Sequence, residues 1–340
     1  MYAQKKHVTV AALNAEIKNS HVLLSDRSLN RAVHALGFKF KKDSNRRALI
    51  EKPNIAEMRT KFLRQYMQEI RSSSRRPIVF MDETWIYSKG NPGKSWQDED
   101  LKSVRKPAGY DGKRFIIVHA GTSTGFIQNA SLLFVSKSLK EDYHGEMNGD
   151  LFKKWLINNL LNNLEEPSLI VIDNAPYHST LEKLPTSSWT KGDMVAGLTR
   201  RNIPFDSTLF KPELYSFIKS LGIQKQYEVD NIIRNHGHDV LRLPPYHCEF
   251  NAIELVWAHA KSYYDKHIGR DGYSDHSVIS MWNEALQQCD ETFWANCVRH
   301  TEDVIKAWYK REEVLDFTVN EMIINIGSCS ESSDYDSDTD

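Results

Sequence analysis

The ten residues Leu169-Ile170-Val171-Ile172-Asp173-Asn174-Ala175-Pro176-Tyr177-His178 constrain this chain more than any other stretch. Four apolar, mostly β-branched residues run directly into an acid, and Asn and Pro then end the run. A strand buried on both faces has this pattern, and it delivers its carboxylate at the C-terminal edge of a sheet. In open α/β sheets that edge is where ligands bind.

Two further stretches repeat the design. Pro77-Ile78-Val79-Phe80-Met81-Asp82-Glu83 reads as a short strand ending in acid, with Trp85-Ile86-Tyr87 as a second strand after it. Leu243 to Trp257 reads as an extended arm that turns into a helix, with Glu254 in the first turn. Three carboxylates on separate elements are the hard oxygen donors that divalent cations need to clamp a phosphodiester. Each has a plainer reading. Asp82 may be read as a turn residue, Asp173-Asn174 as an Asx turn, and Asn251-Ala252-Ile253-Glu254 has the spacing of a helix capping box.

At "VFMDET", "VIDNAPYHS" and "LPPYHCEFNAIELVW" the chain resembles the DDE transposases of the Tc1/mariner and IS630-like group, whose three catalytic blocks occur in this order. The resemblance covers roughly 78–310. It implies an RNase H-like fold in which Asp82, Asp173 and Glu254 are catalytic and hold two Mg²⁺ or Mn²⁺ ions. Asn174 and His178 match positions beside the site and are expected to orient a carboxylate or a phosphate. The implied activity is DNA strand cleavage and strand transfer at transposon ends. Double-stranded DNA, at the ends and at the target, and a second copy of the chain are the implied partners. The alternative is a domesticated, non-cleaving DNA-binding protein derived from a transposase.

Charge separates the chain into parts. Residues 1–77 carry 17 Lys and Arg against 6 Asp and Glu, although the whole chain has a net charge of −1. A basic module on a mildly acidic body points to a polyanion as the module's partner. Thr9 can cap a helix through Val10, Leu13 and Ile17. Ser25 or Asp26 can cap a second through Leu29, Val33 and Leu36, with Gly37 after it. Phe38 to Lys42 alternates, Asp43-Ser44-Asn45 reads as a turn, and Arg46 to Ile50 reads as a returning strand. A helix-turn-helix followed by such a hairpin is a winged-helix-like module. Lys39, Lys41, Lys42, Arg46 and Arg47 are its expected DNA contacts. The resembled family carries two helix-turn-helix modules, and this chain shows what looks like the second.

The expected fold class is therefore α/β: an RNase H-like mixed sheet flanked by helices, with a helical insertion and the N-terminal module. The expected divisions are 1–53 for the module, 54–77 for a linker helix and linker, and 78–327 for the catalytic domain. Residues 180–237 read as an independent helical insertion, which sets Asp173 and Glu254 81 positions apart, beyond the usual family spacing. Residues 328–340 read as a disordered acidic tail. His119 reads as a packed core histidine. The four cysteines form no C-x-x-C pair, which fits reduced thiols. No run approaches the roughly eighteen apolar residues of a membrane span. The expected location is the nucleus.

Overall fold

Ten residues, Ile78–Tyr87, form β1, and their alternation organises both sides of the molecule. Ile78, Phe80 and Ile86 enter one hydrophobic core, whereas Val79 and Met81 enter another. The strand that sequence splits in two after Glu83 is continuous, because its central residues pair without a break with β2, Arg114–Thr122. The computed structural model describes residues 8–18, 24–36, 45–90, 112–136, 147–183, 185–201, 203–222 and 226–327.

The chain forms two compact units, Met1–Leu49 and Ile50–Asp340. In the first, α1 (Val10–Lys18) and α2 (Asp26–Ala35) start as their caps dictate. Thr9 Oγ1 accepts from the Ala12 amide at 3.1 Å, and Ser25 Oγ accepts from the Ser28 amide at 3.1 Å. Asn14 is buried and donates to Leu24 O at 3.0 Å, which ties α1 to the residues just before α2. The returning strand of the expected wing is absent: Asn45–Ile50 is a short helix, α3. Arg, Ala and Leu are strong helix formers, and with no alternation of its own this stretch follows local propensity. Lys39, Lys41 and Lys42 lie outside the described residues, and Arg46 is exposed on α3.

In the second unit, β1 pairs antiparallel with β2 and parallel with β5 (Leu169–Ile172), which pairs parallel with β6 (Asp239–Arg242). On its far edge β2 pairs with β3 (Gly125–Phe126) and, further along, with β4 (Leu132–Val135). The order β3-β2-β1-β5-β6, with an antiparallel half and a parallel half, is the RNase H-like arrangement. Helices cover both faces. On one side lie α4 (Pro53–Arg71), α9 (Ile253–His267), α10 (Asp275–Gln287) and the long α11 (Glu291–Gly327). On the other lie α5 (Gly149–Trp155), its continuation to Asn163, and α8 (Glu228–Asn235). Gly121 is needed at its place in β2, since a Cβ there would stand 2.4 Å from the Trp294 ring of α11.

Two expected divisions need correction. α4 is no linker helix: Phe62, Leu63, Tyr66 and Met67 sit in the core of the second unit. Arg59 is buried there, pairing with Glu312 at 3.0 Å. The segment after α4 is held as well, because Arg76 pairs with Glu69 at 2.7 Å and also with Asp239. Nor is 180–237 one independent subdomain. α6 (Lys191–Arg200) and α7 (Lys211–Ser220) share a small core of Met194, Leu198, Leu214 and Ile218. α8 instead packs Val229 and Ile233 against the sheet, as the crossover helix between parallel neighbours must. No helix among the described residues is long and apolar enough to cross a membrane. Cys289 and Cys297 are buried free thiols. The acidic tail lies outside the described residues.

Candidate active site

The β1–β5 register pairs Ile78 with Leu169 and Phe80 with Val171. Continued along both chains, the same register brings Asp82 level with Asp173. Side chains alternate faces along a strand. Asp82 therefore shares the face of Phe80, and Asp173 that of Val171, both in the core covered by α9. Glu254 is the second residue of α9 and exposed. Parity and register thus direct all three carboxylates to one side of the sheet.

The negative charges of Glu254 and Asp173 both bear on Asp82. The Asp82 carboxyl is pushed well above the usual carboxylate range, first by burial and then by the negative charges of Glu254, Glu83 and Asp173. Glu254 is raised too, although its side chain is open to solvent on one side, chiefly by desolvation from the atoms packed around it and further by Asp173, with Lys261 opposing. Like charges held together in a poorly solvated place resist ionisation, and a bound cation would remove that penalty. Among the described residues, no group of three His, Cys, Asp or Glu side chains stands close enough to grip an ion as placed. The donor chemistry fits a divalent cation, and the side chains have to close around it.

The start of α9 is built differently from a capping box. Its N-cap is Ala252, without a side-chain cap, and Glu254 makes no return bond. Asn251, buried, donates from Nδ2 to Met81 O at 3.1 Å, which fastens the helix start to β1 next to Asp82. Glu254 is left to face the other two carboxylates. Asp173 does form the Asx turn that sequence allows, its Oδ1 accepting from the Ala175 amide at 3.1 Å. The turn and the site use the same residue.

His178 occupies the centre of the arrangement. Its ring is buried, with Nδ1 2.6 Å from Asp173 Oδ1 and Nε2 3.0 Å from Glu83 Oε1. Burial works to lower its pKa, but the charge of Glu83 and the bonds to both carboxylates prevail and raise it to about 9. At neutral pH it is an imidazolium that donates to both. Asn174 ties the same loop to its neighbour, its Nδ2 donating to Leu243 O at 2.5 Å.

Sequence reasoning missed three participants. Glu83 falls on the opposite face of β1 from Asp82, yet His178 reaches it from that face. Lys261 senses both Asp82 and Glu254, and burial lowers its pKa while those carboxylates raise it. It lies seven residues after Glu254 on one helix face, a legible spacing. Its ammonium also stands 4.8 Å over the Trp85 ring. Arg242 holds the backbone behind Asp173, which only the fold reveals. His119 is the cross-strand partner of Asp82 and is buried; burial pushes its pKa down to about 4, leaving it neutral, with Nδ1 accepting from the Ala120 amide. Glu249 pairs with His247 at 3.0 Å.

No family model matches the chain, and no curated protein matches it. Solved structures that it resembles include Mos1 transposase complexes and the Mos1 catalytic domain. A pre-cleavage Mos1 transpososome shares 15% identity over 90% of this chain and 79% of that chain, with a TM-score of 0.47. A Mos1 mariner paired end complex with Mn shares 14% over 90% and 79%, at 0.47. The catalytic domain of Mos1 mariner transposase shares 13% over 76% and 94%, at 0.41. A likeness of that size decides neither family nor chemistry.

Proposed function

We propose that this chain is a divalent-metal-dependent DNA transposase of the Tc1/mariner kind, with Asp82, Asp173 and Glu254 as its catalytic, metal-holding residues. One observation carries the reading: carboxylates from β1, the end of β5 and the start of α9 share one side of the sheet, where the charges of Asp173 and Glu254 both bear on Asp82. Two Mg²⁺ or Mn²⁺ ions there would supply charge stabilisation for an in-line attack on a DNA phosphodiester, by water in cleavage and by a 3′-hydroxyl in joining.

The remaining groups prepare the site. His178, as an imidazolium, neutralises part of the acidic cluster and fixes one oxygen of Asp173 while leaving the carboxylate its charge. Glu83 holds the ring from below. Asn251 and Asn174 fix the backbone that presents Glu254 and Asp173. Lys261 contributes a cation beside Asp82 and Glu254. Double-stranded DNA is the substrate, docked in part through Arg46 and its basic neighbours in the first unit. A homodimer acting in the nucleus completes the proposal.

The test is cleavage of a duplex carrying the element's own ends, with Mg²⁺ or Mn²⁺. Asp82→Asn, Asp173→Asn and Glu254→Gln should each nearly abolish cleavage, and pairs should do little more, since the three act as one unit. Glu249→Gln is the control and should cleave normally. Intact cleavage by all three variants would refute the assignment. The second reading is a non-cleaving DNA-binding descendant of such an enzyme. It predicts DNA binding without cleavage in the unmodified chain.

A further inference from the structure

The loop that carries Asp173 and His178 is held from behind by one side chain. Arg242 ends β6 and is only 14% exposed. Its Nη2 donates to His178 O at 2.8 Å and to Asp230 Oδ1 at 2.7 Å, and its Nε donates to Asp230 Oδ1 at 3.1 Å. Nη1 reaches Ser179 Oγ at 3.3 Å, Asp173 O at 3.4 Å and Asn174 Oδ1 at 3.5 Å, contacts long enough to be weak individually. The guanidinium lies over the Tyr227 ring at 4.0 Å. Only a planar fork of five donors can serve acceptors on both sides in this way.

Asp230 lies on α8, the crossover helix, and Tyr227 directly before it, where the chain returns from the α6–α7 insertion. Tyr227 precedes α8 and bridges to Leu181, where the insertion leaves the loop. The Glu182 amide donates to Gln226 O at 2.8 Å, and the Glu228 amide to Thr180 O at 2.9 Å. The two ends of the insertion are therefore zipped together directly beside Arg242. A continuous path of packed and bonded groups runs from the insertion, through the guanidinium, to the main chain of residues 173–178.

We propose that Arg242 is a positioning residue for the carboxylate site, and that the insertion sets the placement of Asp173 and His178 through it. Asp230 and Tyr227 fix the guanidinium, and the guanidinium fixes the loop's carbonyls. A residue inserted between the second and third carboxylates in sequence thereby acts on the second in space. The catalytic consequence rests on the proposed function, whereas the mechanical link does not.

The test uses the full chain with Asp230→Asn, Tyr227→Leu and Arg242→Lys. Amide hydrogen exchange at Ala175, His178 and Ser179, whose N–H groups are bonded within the loop, should quicken severalfold in Asp230→Asn and Tyr227→Leu. Mn²⁺ affinity, read by electron paramagnetic resonance, should fall by about tenfold or more, as for other groups that orient ligands. The kcat for cleavage should fall while KM for DNA holds. Arg242→Lys, which keeps the charge and loses the fork, should fall between wild type and Arg242→Met in all three. Unchanged loop exchange and Mn²⁺ affinity, with only a lower Tm, would reduce the cluster to an ordinary buried ion pair and overturn the proposal. Tyr227→Leu leaves the ion pair in place and decides the matter if Asp230→Asn does not fold. Should the unmodified chain fail to cleave DNA at all, the transposase reading falls, and the exchange experiment still judges the link.

Discussion

Glu83 and Asp173 are joined through one imidazole, although they project from opposite faces of the sheet: His178 donates from Nε2 to Glu83 at 3.0 Å and from Nδ1 to Asp173 at 2.6 Å. The bridge couples the interior beneath the sheet to the carboxylate cluster above it. Folding raises the pKa of His178 from 6.5 to about 9. A group whose pKa rises on folding stabilises the protein fully below its unfolded value and loses that contribution as pH climbs through the folded one. In metal-free protein the His178 ring should therefore titrate near pH 9 by NMR, with a parallel loss of thermal stability. Glu83→Gln should bring the midpoint down. An unmoved midpoint would refute the bridge.

Asp82 should show the opposite balance of stability and activity. Burial and three neighbouring negative charges hold its proton more tightly in the folded state, so its contribution to stability declines as pH rises above the unfolded value of about 3.8. Asp82→Asn should raise the Tm of metal-free protein at pH 7 by a few degrees while eliminating cleavage. Calorimetry without and with Mg²⁺ separates the effects, because only the unmodified protein should gain stability from the ion. A lower Tm for Asp82→Asn would count against the repulsion.

Lys261 stands where an ion would compete with it for Asp82 and Glu254. Lys261→Met should strengthen Mn²⁺ binding severalfold by titration calorimetry, because a cation no longer has to enter beside an ammonium. Weaker Mn²⁺ binding in this variant would place the ammonium among the groups that help the ion in.

DNA binding by the basic unit should be salt-dependent, since each neutralised phosphate releases counterions. In the full chain, replacing Lys39, Lys41, Lys42, Arg46 and Arg47 with alanine should flatten the dependence of affinity on salt, read by fluorescence anisotropy. A fragment ending at Pro77 is the wrong reagent. It would strip Phe62, Leu63, Tyr66 and Met67 from the core they fill. An unchanged salt slope would exclude these five residues as phosphate contacts.

Much of the site is legible in the sequence because strand chemistry is local. An apolar run stopped by Asp173 and another leading to Asp82 need only alternation and a turn signal to be read, and the parity of Phe80 and Asp82 already says which face the carboxylate takes. The position of Glu254 follows from a helix start. Other parts depend on groups distant in the chain. The capping-box spacing at Asn251 is overridden because the Asn251 backbone N–H donates to Cys248 O, while its side-chain Nδ2 is turned to Met81 O, 170 residues away in sequence. The helix at Asn45–Ile50 shows local propensity prevailing over the expected returning strand.

The sequence by itself determined the strands, their carboxylates, the two capped helices of the first unit and the basic charge at its head, since each depends on residues a few positions apart. Only the tertiary structure decided that α4 belongs to the second unit's core, that α8 belongs to the sheet, and that Glu83, Lys261 and Arg242 serve the site. Those outcomes hang on which apolar face finds a partner and which buried charge finds a counter-charge across long stretches of chain. Solvent exclusion settles both at once, when the whole fold closes, and no window of sequence contains them.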